Sequence, residues 1–129
     1  MSMREKLQVM VVVDMSTSRG LLTQGLEALG VPSYISENDG STAFNRLAVR
    51  AVHLVLSDYH MPGLNGLGLL EELRRHPTTA KIAFVLVTGS PTPDVVERGR
   101  ALRINSILKK PFTIQKLRAC IEKVMGQSL

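Results

Sequence analysis

Residues 54–67, LVLSDYHMPGLNGL, admit few folds. Leu54, Val55 and Leu56 form a short apolar run of the kind that lies buried on both faces of a parallel sheet, and Ser57 and Asp58 end it with a hydroxyl and a carboxylate. Met61-Pro62-Gly63 then forces a turn, Asn65 supplies a helix cap, and Leu67, Leu69, Leu70 and Leu73 supply an apolar stripe. Strand, acid and helix in that order make a βα unit with its acid at the strand's C-terminal end. In open parallel sheets those ends border the ligand crevice, so Asp58 is placed for chemistry.

The same grammar repeats along the chain. Residues 8–13 are an apolar, β-branched run ending at Asp14. Ser16 or Thr17 is expected to cap a helix carrying Leu21, Leu22, Gly25, Leu26 and Leu29 on its inner face, stopped by Gly30 and Pro32. Tyr34-Ile35-Ser36 reads as a short edge strand, and Asp39-Gly40-Ser41 opens a helix with Ala43, Phe44, Leu47 and Ala48 inward. Residues 82–87 form a fourth strand ending at Thr88-Gly89-Ser90; Thr92 as cap and Pro93 at the first helical position lead into a helix with Val95, Val96 and Leu102. Residues 104–108 are the fifth strand, ending at Lys109-Lys110-Pro111-Phe112, and Thr113 caps a last helix through Met125 and Gly126. Strands alternating with helices imply right-handed crossovers, so the expected architecture is α/β: a doubly wound (βα)5 parallel sheet with helices on both faces.

A chain of 129 residues, 44% hydrophobic, has material for one core, and residues 1–129 are read as a single domain. The N-terminal apolar run is too short for a membrane span or a signal-peptide core, which points to a cytoplasmic protein. The one cysteine, Cys120, shares helical spacing with Leu117, Ile121 and Val124 and reads as a core thiol. The net charge of +5 is unevenly spread. Residues 1–93 carry eight basic and eight acidic residues, whereas 94–129 carry eight basic against three acidic, so the whole excess sits in the last quarter.

If every strand presents its C-terminal end on one edge, Asp14, Asp58, Thr88 and Lys110 meet there from strands one, three, four and five. Two neighbouring carboxylates need a counter-charge, and their hard oxygens suit Mg2+, which takes one or two carboxylates and otherwise keeps water. A lysine and a hydroxyl beside them suit phosphoryl oxygens. The chemistry implied is phosphorylation of an aspartate, with magnesium and lysine neutralising the transferred group.

On VVVDMSTSR, SDYHMPGLNGL, VLVTG and KKPFT, in that order and spacing, the chain resembles the response-regulator receiver domains, and among them the single-domain chemotaxis type. The resemblance implies a flavodoxin-like sheet of order 2-1-3-4-5. It implies Asp58 as phosphoacceptor, with a histidine kinase as donor, and Asp14, Asp58 and the backbone carbonyl of His60 as Mg2+ ligands. Thr88 would then hydrogen-bond the phosphoryl group and Lys110 pair with it. It further implies a cis Lys110-Pro111 peptide, His60 and Ser90 beside the path of hydrolytic water, and an output face on the fourth helix, fifth strand and fifth helix. The basic last quarter falls on that face, where it would steer an acidic partner such as a flagellar motor component; otherwise it is a set of solvated helix surfaces.

Two positions depart from the family pattern. Such domains usually end strand one with two adjacent acids, and here Val13 replaces the first. A charge about 5 Å from a divalent ion is worth roughly 6 to 7 kcal/mol gross at a dielectric of 20, mostly offset by desolvation, so a net loss of about 1 to 2 kcal/mol in metal binding is expected. Ile107 stands where many relatives carry an aromatic residue that swings inward on activation; a β-branched side chain has no such swing, which moves any switch to Thr88 and the loop holding Pro91 and Pro93.

The first reading is a phosphorylation-controlled receiver that acts by reversible docking or as a phosphate sink; Val13 supports a second, an unphosphorylated receiver acting as a constitutive scaffold. An enzyme reading fails on motifs: 63–68 lack dinucleotide-loop spacing, no phosphate-loop lysine motif is present, and Asp58-Tyr59-His60 lacks the second acid of an aspartate-nucleophile phosphatase. Nucleic-acid binding is disfavoured by 4% aromatic content and no helix-turn-helix after Met125. His53 and His76 are read as surface residues.

Overall fold

The computed structural model describes residues 2–129. A short helical turn at Met3–Lys6 precedes β1 (Val9–Val12), α1 (Ser16–Ala28), β2 (Tyr34–Glu37), α2 (Gly40–Val49), β3 (Leu54–Asp58), α3 (Gly66–Arg75), β4 (Ala83–Thr88), α4 (Pro93–Ala101), β5 (Ser106–Lys109) and α5 (Ile114–Met125). All strands are parallel in the order β2-β1-β3-β4-β5. The expected (βα)5 sheet and its order are present, with β2 at one edge as anticipated.

The two-residue period of the strands divides the core in two. Val9, Val11, Leu54, Leu56, Val85 and Val87 face α1 and α5, meeting Leu22, Leu26, Leu117 and Ile121. Met10, Val12, Val55, Phe84 and Leu86 face α2, α3 and α4, meeting Leu47, Leu67, Leu70, Leu73 and Val95. Each fully buried leucine contributes about 1.5 to 3 kcal/mol, so these two layers clamp the sheet between its helices.

Four helices start on a side-chain cap: Asp39 accepts from the Thr42 N–H at 2.8 Å, Asn65 from Gly68 at 2.8 Å, Thr92 from Val95 at 3.3 Å and Thr113 from Lys116 at 3.1 Å. Gly126, with φ 70°, closes α5 in the left-handed conformation.

Four details differ from the sequence reading. Ala48, expected inward on α2, is exposed, because the buried face of that helix runs through Gly40, Ala43 and Leu47 and the next residue turns away from it. Neither Ser16 nor Thr17 caps α1: the backbone is already helical at Ser16, which leaves Met15, with no side-chain oxygen, at the cap position. Leu21 points outward and is 57% exposed, because the buried stripe runs through Leu22, Gly25, Leu26 and Leu29. The fifth strand starts at Ser106 rather than 104, since the Ile104 N–H turns back to the Gly99 carbonyl at 2.9 Å and the Asn105 side chain accepts from the Phe84 N–H at 2.8 Å. His53, His60 and His76 are exposed, and Cys120 is half-buried against the α1/α5 layer, where burial raises its pKa.

Candidate functional site

β3 ends by carrying Asp58 to the C-terminal edge of the sheet, 6% exposed. Its Oδ1 accepts from the Lys110 ammonium at 2.9 Å and from the Tyr59 backbone N–H at 3.0 Å. Both bonds end on the same oxygen, so Oδ2 keeps its lone pairs for another partner. The strand is held in place from behind by Gly66. A β-carbon there would stand 2.4 Å from the Asp58 carbonyl oxygen, and the Gly66 N–H donates to the Tyr59 carbonyl at 2.9 Å. Only glycine allows α3 to begin this close to the acid.

Thr88 ends β4 one step beyond the Asp58–Val87 pair and is 1% exposed. Its hydroxyl accepts from the Ser90 N–H at 3.2 Å, and its carbonyl accepts from the Lys110 N–H at 2.9 Å. The second bond carries the β4–β5 ladder past Lys109 and aims Lys110 back at Asp58. The Lys110-Pro111 peptide is cis.

On β1 the register pairs Val12 with Ser57, so Val13 comes abreast of Asp58. Val13 donates its N–H to the Glu37 carbonyl at 3.0 Å and is fully buried in the α1/α5 layer. Asp14 is exposed and lines a hollow of about 360 Å³ with His60, Met61, Pro62 and Asn65. Val13, Asp58, Lys110 and Pro111 line a separate cavity of about 330 Å³. The structure thus joins Asp58 directly to Lys110, sets Thr88 on the adjoining strand end, and places Asp14 with His60 in a neighbouring hollow.

Among the described residues, no cluster of three or more His, Cys, Asp and Glu side chains is arranged to hold a metal. Mg2+ takes a sparser, oxygen-only set: one or two carboxylates, a carbonyl and water. The open Oδ2 of Asp58 and the exposed Asp14 carboxylate fit that donor chemistry.

Two cations went unremarked in the sequence. Arg19 donates from Nη2 to the Val13 carbonyl at 3.0 Å and to Asn38 Oδ1 at 2.7 Å, bracing the end of β1 against the β2–α2 connection. Arg74 lies at the opposite edge of the sheet. Its Nε and two Nη groups donate to the carbonyls of Leu102, Ala80, Ile82 and Arg103 and to Asn105 Oδ1, at 2.8 to 3.2 Å. Burial, and then the charge of Arg103, lower its pKa.

Comparison with known proteins agrees with this geometry. Residues 9–122 match the response regulator receiver domain. A probable chemotaxis protein CheY of Rhizobium etli is 40% identical, over 98% of this chain and 98% of its own, and chemotaxis protein CheY of Pseudomonas aeruginosa is 29% identical over 92% and 95%. In fold the chain is similar to CheY4 of Vibrio cholerae, with a TM-score of 0.84 at 21% identity over 92% of this chain and 98% of that one. With the strand order, the acid at the end of β3 and a family match that spans nearly all of its length, this chain belongs to the response regulator receiver domain family.

Proposed function

We propose that this chain is a phosphorylation-controlled receiver of a two-component pathway of the chemotaxis type, with residues 1–129 acting as one domain and Asp58 as the phosphoacceptor. The observation that carries the reading is the 2.9 Å contact between the Lys110 ammonium and a nearly buried Asp58. A carboxylate oxygen of Asp58 attacks the phosphorus of a phosphohistidine on a histidine kinase. The P–N bond breaks, the imidazole leaves with its electron pair, and an acyl phosphate forms. Lys110 balances the added negative charge, and the Thr88 hydroxyl, which accepts from the Ser90 N–H and still has its own O–H to give, donates to a phosphoryl oxygen. Asp14, Asp58 and the His60 carbonyl are the residues that would hold Mg2+, which when bound would neutralise charge on the transferred oxygens. The chain turns nothing over beyond its own modification and its hydrolysis.

The output surface in this reading is the face formed by α4, β5 and α5. Lys116 is exposed there, while Arg98, Arg100 and Arg118 lie near Asp94, Glu97 and Glu122 on their own helices. Such local pairs are weak in water, so the positive field of the face persists and suits an acidic partner, such as a flagellar motor component. Docking to protein fits this role; no nucleic acid is involved. Among the described residues no helix is long and apolar enough to cross a membrane. The buried apolar Val13 favours the competing reading, a scaffold that is never phosphorylated.

Incubation with acetyl phosphate and Mg2+ separates the two. The expected product is a hydroxylamine-labile adduct of one phosphoryl group, present in the parent and missing in Asp58→Asn. No adduct in the parent, or an equal one in the variant, overturns the assignment of Asp58.

A further inference from the structure

We propose that the cavity beside Asp58 is a binding site for a small uncharged amide with an apolar body. The cavity of about 330 Å³ lies between the start of α1 and the segment after β5. Its walls are the apolar side chains of Val13, Leu21, Leu22, Val87, Pro111 and Phe112, and its polar groups are few: the Ser18 hydroxyl, the Asp58 carboxylate and the Lys110 ammonium. Apolar walls with a few convergent polar groups are the usual make-up of a small-molecule site, and the volume falls at the small end of that range. At about 30 Å³ per water-sized group there is room for roughly ten non-hydrogen atoms.

Val13 makes this wall apolar. A carboxylate at the same position would face the cavity beside Asp58 and fill it with charge and water. Leu21, 57% exposed, stands on the rim, where an occupant would cover it.

The polar end selects the ligand's charge. Asp58 and Lys110 neutralise each other at 2.9 Å. With no divalent cation bound, a free anion in the cavity lies beside the Asp58 carboxylate and a monovalent cation beside the Lys110 ammonium, and either gives up hydration against apolar walls. A neutral amide meets both groups. Its carbonyl accepts one of the two ammonium N–H bonds that Lys110 does not spend on Oδ1, and its N–H donates to Oδ2. An occupant would therefore rest on the same pair proposed to receive and balance the phosphoryl group, which would make the site a point of small-molecule control.

Benzamide is the probe, titrated into the 15N-labelled full chain and followed by amide shifts in NMR. The expected result is saturable binding with a Kd of about 1 mM or tighter. The largest shifts should fall at Val13, Ser18, Leu21, Val87 and Phe112. Leu21→Gln, at an exposed position that leaves the core intact, and Val13→Asp should each weaken binding at least tenfold, and benzoate should bind at least tenfold more weakly than benzamide. Linear, unsaturated shifts, or shifts centred elsewhere, overturn the site. Equal binding of benzoate overturns the assigned ligand class. Because the titration needs no phosphodonor, a flat result beside a normal Asp58 adduct removes this site and leaves the proposed function standing.

Discussion

Lys110 and Arg74 are cations at opposite edges of one sheet, and they are used in opposite ways. Arg74 distributes its guanidinium over five carbonyl oxygens drawn from the α3–β4 and α4–β5 connections, so its hydrogen-bonding capacity is filled. Lys110 makes one contact with a carboxylate and keeps 30% of its side chain exposed. A filled cation fixes the loops it touches, whereas a part-filled one is free to take a new partner. The N-terminal edge of the sheet is built to hold, and the C-terminal edge to respond.

The sharpest way to break this contrast is to remove each centre in turn. Asp58→Asn should abolish phosphoryl incorporation while shifting the melting temperature by only a few degrees, because an amide keeps the acceptor oxygen and sheds the charge. Arg74→Met should do the reverse. Losing a charged donor that serves buried carbonyls is expected to cost about 3 kcal/mol and lower Tm by roughly 10 °C. Incorporation per folded molecule should stay near the parent's. If Arg74→Met melts like the parent, the fixed edge is not fixed by its guanidinium.

The next effect is about tenfold. Val13→Asp should raise Mg2+ affinity by roughly that factor, measured by fluorescence or calorimetric titration, since about 1 to 2 kcal/mol of carboxylate–metal attraction returns. Equal affinities would show that the missing acid is irrelevant. Smaller still are the movements on modification. Ile107 is half-buried against the α2/α3/α4 layer and has no polar tip to swing, so amide shifts on phosphorylation should concentrate at residues 90–94. They should be smaller across α1 and across 102–105, where Arg74 holds the chain.

The smallest expected effect is that of the Asp39 cap. Its hydrogen bonds from the Thr42 N–H and hydroxyl hold its carboxylate pKa below the ordinary value. A lowered folded pKa adds stability above the unfolded value, near 4, and that increment disappears as pH falls through the lower folded value. Asp39→Asn keeps a good cap without the charge. Its melting curve should therefore fall slightly below the parent's at neutral pH and meet it at strongly acid pH.

Much of this was legible because it is local. Asp39, Asn65, Thr92 and Thr113 announce their helices as side-chain acceptors three residues before the N–H they cap, and runs of Val, Ile and Leu announce the strands. Asp58, Thr88 and Lys110 were traceable to one edge because each follows an apolar run directly. Arg74 was not, since four of its five acceptors are backbone carbonyls that any residue could supply, brought together where two connections meet. Arg19 escaped notice for the same reason. Leu21 was misplaced because Leu21 and Leu22 both satisfy a helical spacing, and only the packing of α1 on the sheet chooses between them. Val13 read as an absence in the sequence; in three dimensions it is a wall.

The backbone-to-backbone seam at Gly66 bears on any attempt to rework this protein. Beneath the acid the nearest obstacle to an added β-carbon is a backbone carbonyl, with Leu86 Cδ1 next at 2.7 Å, so trimming a side chain cannot make the room; a redesigned receiver can repaint the rim at Val13, Ser18 or Leu21, yet must inherit the residue at 66 unaltered. Even one added methyl group would lift α3 away from the carbonyl behind Asp58 and detune the acid's position without touching its chemistry.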